Sequence, residues 1–174
     1  MKKRMKITTK LLLLSLIFPS ICFSQTKWNS KKYNYNIEIP QGFSESKAVG
    51  SNVDFKATKG LSSIVVVVKT IPNEYSSYTI WDMLGDLETF GAEWELGAKE
   101  YMDNPQFLKY GKTNLSNLET FWYDYTTDNP KLYSKNYQTK KGNKLYTITL
   151  TCPNSEYSYY SSVWFRFKDK MKIE

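Results

Sequence analysis

The sequence contains no histidine in 174 residues. That absence removes the commonest general base, the usual partner of a catalytic serine or cysteine, and the commonest zinc ligand. Cysteine is nearly missing too, with only Cys22 and Cys152. Cys22 lies in a segment expected to be removed, so Cys152 stands alone and offers no disulfide framework. It continues the alternating apolar set Tyr146, Ile148 and Leu150, which predicts a small buried hydrophobe more readily than a reactive thiol. An intermolecular bridge is the rival reading. Apolar runs of spanning length, about 20 residues, are also absent.

The one extended apolar stretch runs from Leu11 to Phe23, interrupted by Ser15, Pro19 and Ser20. Before it stand Lys2, Lys3, Arg4, Lys6 and Lys10 with no acid among them. A basic segment followed by an apolar one of this length is the pattern of a secretory signal peptide. Cys22-Phe23-Ser24 carries small residues at its first and third positions. Cleavage after Ser24 is therefore expected, leaving Gln25 first and placing the product in the periplasm or the medium. A lipid-modified Cys22 is the alternative, disfavoured by Ile21 immediately before it; an uncleaved membrane anchor is another.

The formal net charge of +7 suggests an anionic partner. Removing residues 1–24 takes away five basic residues, leaving 19 basic against 17 acidic, a net of +2. What remains lacks the concentrated basic patch that nucleic-acid binding needs. Lys140, Lys141 and Lys144 surround Gly142 as a solvated hairpin tip, and Lys168, Lys170 and Lys172 belong to a polar tail. No nucleic-acid partner, no cofactor and no membrane span after the leader are expected. About 150 residues suffice for one domain that buries roughly two-thirds of its unfolded surface.

Aromatic and β-branched residues at alternating positions predict a sheet-rich domain. Tyr33, Tyr35, Ile37 and Ile39 point inward along one strand that stops at Pro40-Gln41-Gly42. Val53 to Ala57 alternates again, and Lys59-Gly60 connects to Leu61 to Thr70. Within that segment Ile64 to Val68 is continuously apolar, which predicts a central strand covered on both faces. Ser76 or Ser77 then caps an expected helix through Ile80, Trp81, Leu84 and Leu87, ending near Gly91. Residues 92–103 are ambiguous between helix and loop. Strands follow at about Gln106 to Lys112, Leu118 to Thr126, Tyr133 to Lys140 and Leu145 to Cys152, the last two joined through Lys141-Gly142-Asn143. After Pro153, Asn154 or Ser155 caps a terminal helix with Tyr157, Tyr160, Ser161, Trp164 and Phe165 on one face. The expected fold class is α+β, an antiparallel sheet sandwiched by helices.

In order and spacing the chain resembles the PsbP-like superfamily. The resemblance rests on Tyr35-Asn36-Ile37-Glu38-Ile39-Pro40-Gln41-Gly42-Phe43, similar to that family's opening strand followed by Pro-x-Gly-aromatic. It continues through Asp54-Phe55, the Ile64 to Val68 strand, Ser77, the tyrosine-rich strands and a helix after Thr151-Cys152-Pro153, covering most of Lys32 to Phe167. The family's closing strand is hard to place, because Trp164 to Phe167 suits helix or strand. The resemblance implies an α/β/α sandwich serving as a non-enzymatic scaffold. Its relatives act as extrinsic subunits of membrane complexes, as partners of the small GTPase Ran, or as exported bacterial proteins. The metal-binding histidines of the photosynthetic branch have no counterpart here, and no site residue carries across.

Carboxylates are the only conventional acid–base groups left. Glu93, Glu95, Glu100 and Asp103 cluster beside Trp94, and a hydrolase would need two of them about 5 to 10 Å apart in a cleft; a solvated acidic face is the bland alternative. Asp124, Asp128 and Asn129 could offer oxygens to Ca²⁺, but lack the glycine and terminal glutamate of a calcium loop, and an Asp-Asn-Pro turn explains them. Asn114-Leu115-Ser116 is a formal glycosylation sequon. Along Phe121 to Tyr125, alternation places Phe121, Tyr123 and Tyr125 on one face and Trp122 and Asp124 on the other. Ligand-binding candidates are therefore Trp94, Trp122, Tyr123, Asp124 and Tyr125, for stacking on a sugar or a partner side chain; packing of every aromatic beneath helices is the alternative. No metal site is expected. The expected function is a non-catalytic binding or assembly module of the bacterial envelope, with an envelope protein or glycan as partner. Alternatives are a glycan- or lipid-binding module and a carboxylate-dependent hydrolase.

Overall fold

The computed structural model describes residues 26–174, so the expected signal peptide lies outside the described residues. The alternating stretches form strands where expected, and two short strands that the pattern does not predict, Thr26–Asn29 and Ser44–Glu45, add to them. These are β1 (Thr26–Asn29), β2 (Tyr35–Ile39), β3 (Ser44–Glu45), β4 (Val53–Lys59) and β5 (Ser62–Thr70). After helix α1 (Leu87–Ala98) come β6 (Gln106–Leu115), β7 (Leu118–Asp128), β8 (Lys131–Lys141) and β9 (Lys144–Pro153). Helix α2 (Tyr157–Lys170) and the short β10 (Lys172–Ile173) complete the chain. All pairings are antiparallel, in a seven-stranded sheet ordered β3-β4-β5-β9-β8-β7-β6 and a three-stranded sheet ordered β1-β2-β10. The fold is thus α+β, with a second sheet that alternation alone did not predict.

Four two-residue hairpins help fix the register of the large sheet, with Lys59 opposite Ser62 and Asp128 opposite Lys131 in two of them. Ser116 and Asn117 turn β6 into β7 with Leu115 opposite Leu118, and Gly142-Asn143 turns β8 into β9 with Lys141 opposite Lys144. Because side chains alternate, this register assigns every residue to a face. One face carries Phe55, Ile64, Val66, Val68, Ile148, Leu150, Tyr133 and Tyr137 into the main core. It is covered in two halves. The small sheet lays Tyr35, Ile37 and Ile39 across it, with Trp28 against Phe55 and Tyr35 against Tyr146. Helix α2 covers the rest with Tyr160, Val163, Trp164 and Phe167. The closing strand missing from the sequence reading is β10, two residues that pair with β2.

The opposite face has a smaller core of Phe121, Tyr123 and Tyr125, roofed by Ile80, Trp81, Leu84, Leu87, Phe90 and Trp94. The roof covers only part of the sheet. Val65 and Val67 remain half-buried there beside Thr147, Thr149 and Thr151. The expectation that Ile64 to Val68 is covered on both faces is therefore corrected. Valine is a good strand former on either face, so the two outward valines hid the alternation.

Two helix expectations also change. The first helix starts at Leu87 rather than near Ser77, and Ser76 to Leu84 forms turns around a 3₁₀ segment at Trp81–Met83. Asp86 is the true cap, its carboxylate accepting from the Glu88 N–H at 2.9 Å. The helix runs through Gly91 because the Phe107 ring lies against it. A Cβ at that position would sit 2.8 Å from Phe107 Cδ1, so the glycine is a packing feature and not a stop. Residues 92–98 are helical and 99–103 are not. In α2, Val163 and Phe167 join the buried face while Phe165 is 62% exposed, contrary to its expected inward position. No side chain caps α2, which follows a 3₁₀ turn at Asn154–Glu156.

Candidate functional site

Strand β7 carries four of the five candidate residues and α1 lays the fifth, Trp94, against the sheet, without gathering them on one surface. Tyr123 and Tyr125 are buried under α1, where Trp94 packs on both at 5.7 and 4.6 Å between ring centroids. Burial pushes both phenols above their ordinary range. Trp122 and Asp124 point to the other face, as alternation requires. Trp122 is half-buried and lies flat over Gly111, where a Cβ would come within 2.8 Å of its ring. Its Nε1 donates to the Lys112 carbonyl at 3.3 Å. Trp94 and Trp122 are thus the two candidates that keep exposed surface, on opposite faces of the sheet.

Asp124 is fully buried and sits at the centre of a closed polar network. The Tyr133 hydroxyl donates to Oδ2 at 2.5 Å, and the Lys135 ammonium lies 2.5 Å from Oδ1. Lys109 stands 3.7 Å from Oδ2 but is largely exposed. The Lys135 ammonium also sits 3.8 Å from the Trp122 ring centroid, a cation–π contact made while the lysine is mostly out of water. Desolvation lowers the Lys135 pKa, opposed by its bond to Asp124. Burial, then the bond to Asp124, raises that of Tyr133. The Tyr133 hydroxyl and the Lys135 ammonium are both turned on Asp124, and the arrangement holds β7 to β8. Its partner Lys135 was not singled out from sequence, because only the register Asp124 opposite Lys135 reveals it.

The remaining acidic candidates disperse. Glu95 accepts from the Phe107 N–H at 2.7 Å, which ties α1 to β6, while Glu93, Glu100 and Asp103 are exposed. Asp128 accepts from Asn104 at 2.5 Å, far along the strand from buried Asp124, and Asn129 belongs to the β7–β8 turn with a cis Asn129–Pro130 bond. Cys152 is buried, and burial pushes its thiol up to about 12, so little thiolate forms at neutral pH. In the sequon, Ser116 bonds both the carbonyl and the amide of Ile173.

Three clefts stand out on the described surface. One of about 520 Å³ lies on the open half of the sheet, between the Gly50 to Val53 turn and Val67, Gln138 and Thr147. A second, of about 350 Å³, is formed by Ile71, Pro72, Tyr75, Tyr78, Asp82 and Met83. The third, of about 410 Å³, lies between the end of β2, with Glu38 and Gln41, and α2, with Tyr159, Arg166 and Lys170. None holds two carboxylates. Arg166 escaped the sequence reading, although it is one of only two arginines, with Arg4, in a chain rich in lysine. Among the described residues no helix is long and apolar enough to cross a membrane.

No protein-family model matches the sequence, and no curated protein is similar enough to count as a match. Solved structures do match. Cyanobacterial PsbP from Synechocystis sp. PCC 6803 superposes with a TM-score of 0.69 at 14% identity, covering 87% of this chain and 94% of that one. A protein from Bacteroides thetaiotaomicron VPI-5482 gives 0.55 at 10% identity, over 86% of this chain and 48% of that one. LpqN of Mycobacterium tuberculosis, described as involved in cell envelope biogenesis, gives 0.54 at 7% identity over 86% and 90%. At such identities the likeness concerns architecture, and the architecture of this chain is PsbP-like.

Proposed function

We propose that the chain is an exported, non-catalytic binding or assembly module of the bacterial envelope, made with a leader removed after Ser24. One observation carries the reading. Among the described residues the one fully buried carboxylate, Asp124, is closed off by Lys135 and Tyr133, and the acidic residues of 93–103 line none of the three clefts. None of these three clefts pairs two carboxylates, and the reading is that the surface acts by contact. The leader and the shared architecture with LpqN support an envelope setting. The test is fractionation of cells making the tagged chain from its own leader, followed by native sizing of the gently extracted envelope fraction. The module should lack residues 1–24 and migrate in a particle larger than itself. A full-length chain in the cytoplasm would defeat the reading.

A glycan- or lipid-binding module is the second reading, and it rests on the exposed surface left to Trp94 and Trp122. Each ring would have to act alone with its own neighbours, since they face opposite ways. Quenching of tryptophan fluorescence by envelope glycans is the expected sign; unchanged emission across a glycan panel would remove it.

A further inference from the structure

The cleft between β2 and α2 carries an arrangement the fold does not require. Tyr159, Val163, Arg166 and Lys170 follow one another at helical spacing along a stripe of α2 beside its core-facing side. Val163 and Phe167 form an apolar floor and are buried. Arg166 and Lys170, four residues apart, place two like charges side by side, which disfavours the helix. Among the described residues neither cation has a carboxylate within ion-pair distance, although Glu38 shares the cleft. A third cation, Lys59, lies 5.7 Å from the ring centroid of exposed Tyr159, which lines the cleft. The chain has 22 lysines and, outside the leader, the single arginine Arg166. A guanidinium presents a rigid fork that matches an oxyanion with two hydrogen bonds, which an ammonium does not. A volume of about 410 Å³ is in the range of small-ligand sites.

We propose that this cleft binds a phosphate-headed amphiphile, its head on Arg166 and Lys170 and its apolar body against Val163 and Phe167. The inference rests on the binding-module reading and names a ligand class for one of its surfaces. Phospholipid headgroups and soluble phosphate esters share this chemistry, and the test separates them.

The experiment is an NMR titration of the chain without its leader, in which Arg166 gives the only arginine Nε–H signal. The probes are dihexanoyl phosphatidic acid below its micelle concentration, phenyl phosphate, and inorganic phosphate. The first two should shift the Arg166 signal saturably, at least tenfold more tightly than inorganic phosphate. Tighter binding of the lipid assigns the site to membrane lipid; tighter binding of phenyl phosphate assigns it to a soluble ester. Followed through backbone amides of α2, Arg166→Lys should weaken binding about tenfold while keeping the charge, and Arg166→Ala further. Arg166 is exposed, so an unchanged spectrum elsewhere confirms the fold of both variants. No saturable shift with either ester, equal affinity for inorganic phosphate, or unchanged affinity in Arg166→Ala would overturn the proposal. Retention of the envelope particle by Arg166→Ala would then separate failure of this site from failure of the module reading.

Discussion

Asp124 is the only charged residue that is fully buried among the described residues, and its environment explains why it is tolerated there. A buried carboxylate without a partner costs several kcal/mol, and Lys135 together with the Tyr133 hydroxyl offsets that cost. Removing one partner leaves the other charge unpaired in a dry place. Asp124→Ala should therefore destabilise the fold by about 3–5 kcal/mol, read from the urea midpoint. Asp124→Asn combined with Lys135→Met keeps an acceptor for Tyr133 and removes both charges, so it should recover most of the loss. A single substitution costing under about 1 kcal/mol would mean the pair is solvated. The facing of Trp122 and Asp124 was legible in the sequence because alternation is a local property. Their burial was not, since it depends on Tyr133 and Lys135 from the neighbouring strand.

At the scale of elements, the strands were legible and the first helix was misplaced. Strand periodicity survives in Tyr35 to Ile39 and in Tyr146 to Cys152 because one side of each faces the core. Ile80, Trp81, Leu84 and Leu87 have helical spacing that points to an earlier start, and all four do pack on the same sheet face. They reach it from a 3₁₀ turn, a loop and the start of α1, so common burial mimicked a single period. Glycine at position 91 reads as a helix end because sequence alone cannot show Phe107 lying against it. The contact makes a sharp prediction about sign. Alanine normally gains about 1 kcal/mol over glycine inside a helix, but here its Cβ would meet an aromatic ring at 2.8 Å. Overpacking of that kind costs about 1–3 kcal/mol, so Gly91→Ala should be destabilising in thermal unfolding. A raised melting temperature would show that the Phe107 ring moves aside freely.

For the whole molecule, the aromatic content is mostly an investment in two cores on either side of one sheet, with little left for a stacking platform. That investment has a pH signature. Burial raises the pKa of Tyr35, Tyr123, Tyr125, Tyr133, Tyr137 and Tyr146, with Asp54 adding to it at Tyr35 and Asp124 at Tyr133. An unfolded tyrosine ionises near pH 10, and in the fold these six hold their protons beyond that. The unfolded chain then binds fewer protons, so stability is intact below about pH 10 and falls as pH rises above it, by up to about 1.4 kcal/mol per pH unit for each tyrosine. Tyrosinate absorbance near 295 nm should show these six titrating only with loss of the fold. Their smooth ionisation in a still-folded protein would contradict the packing described.

The proposal that the chain works by contact, through surface and not chemistry, is tested most directly by photo-crosslinking in living cells. A photoreactive residue is placed singly at exposed positions around the molecule, namely Tyr159, Phe165, Tyr101, Leu96 and Leu61. The account predicts discrete adducts of fixed size from a contiguous subset of these positions, with silence elsewhere. Silence at every position, with the protein folded and exported, would contradict it.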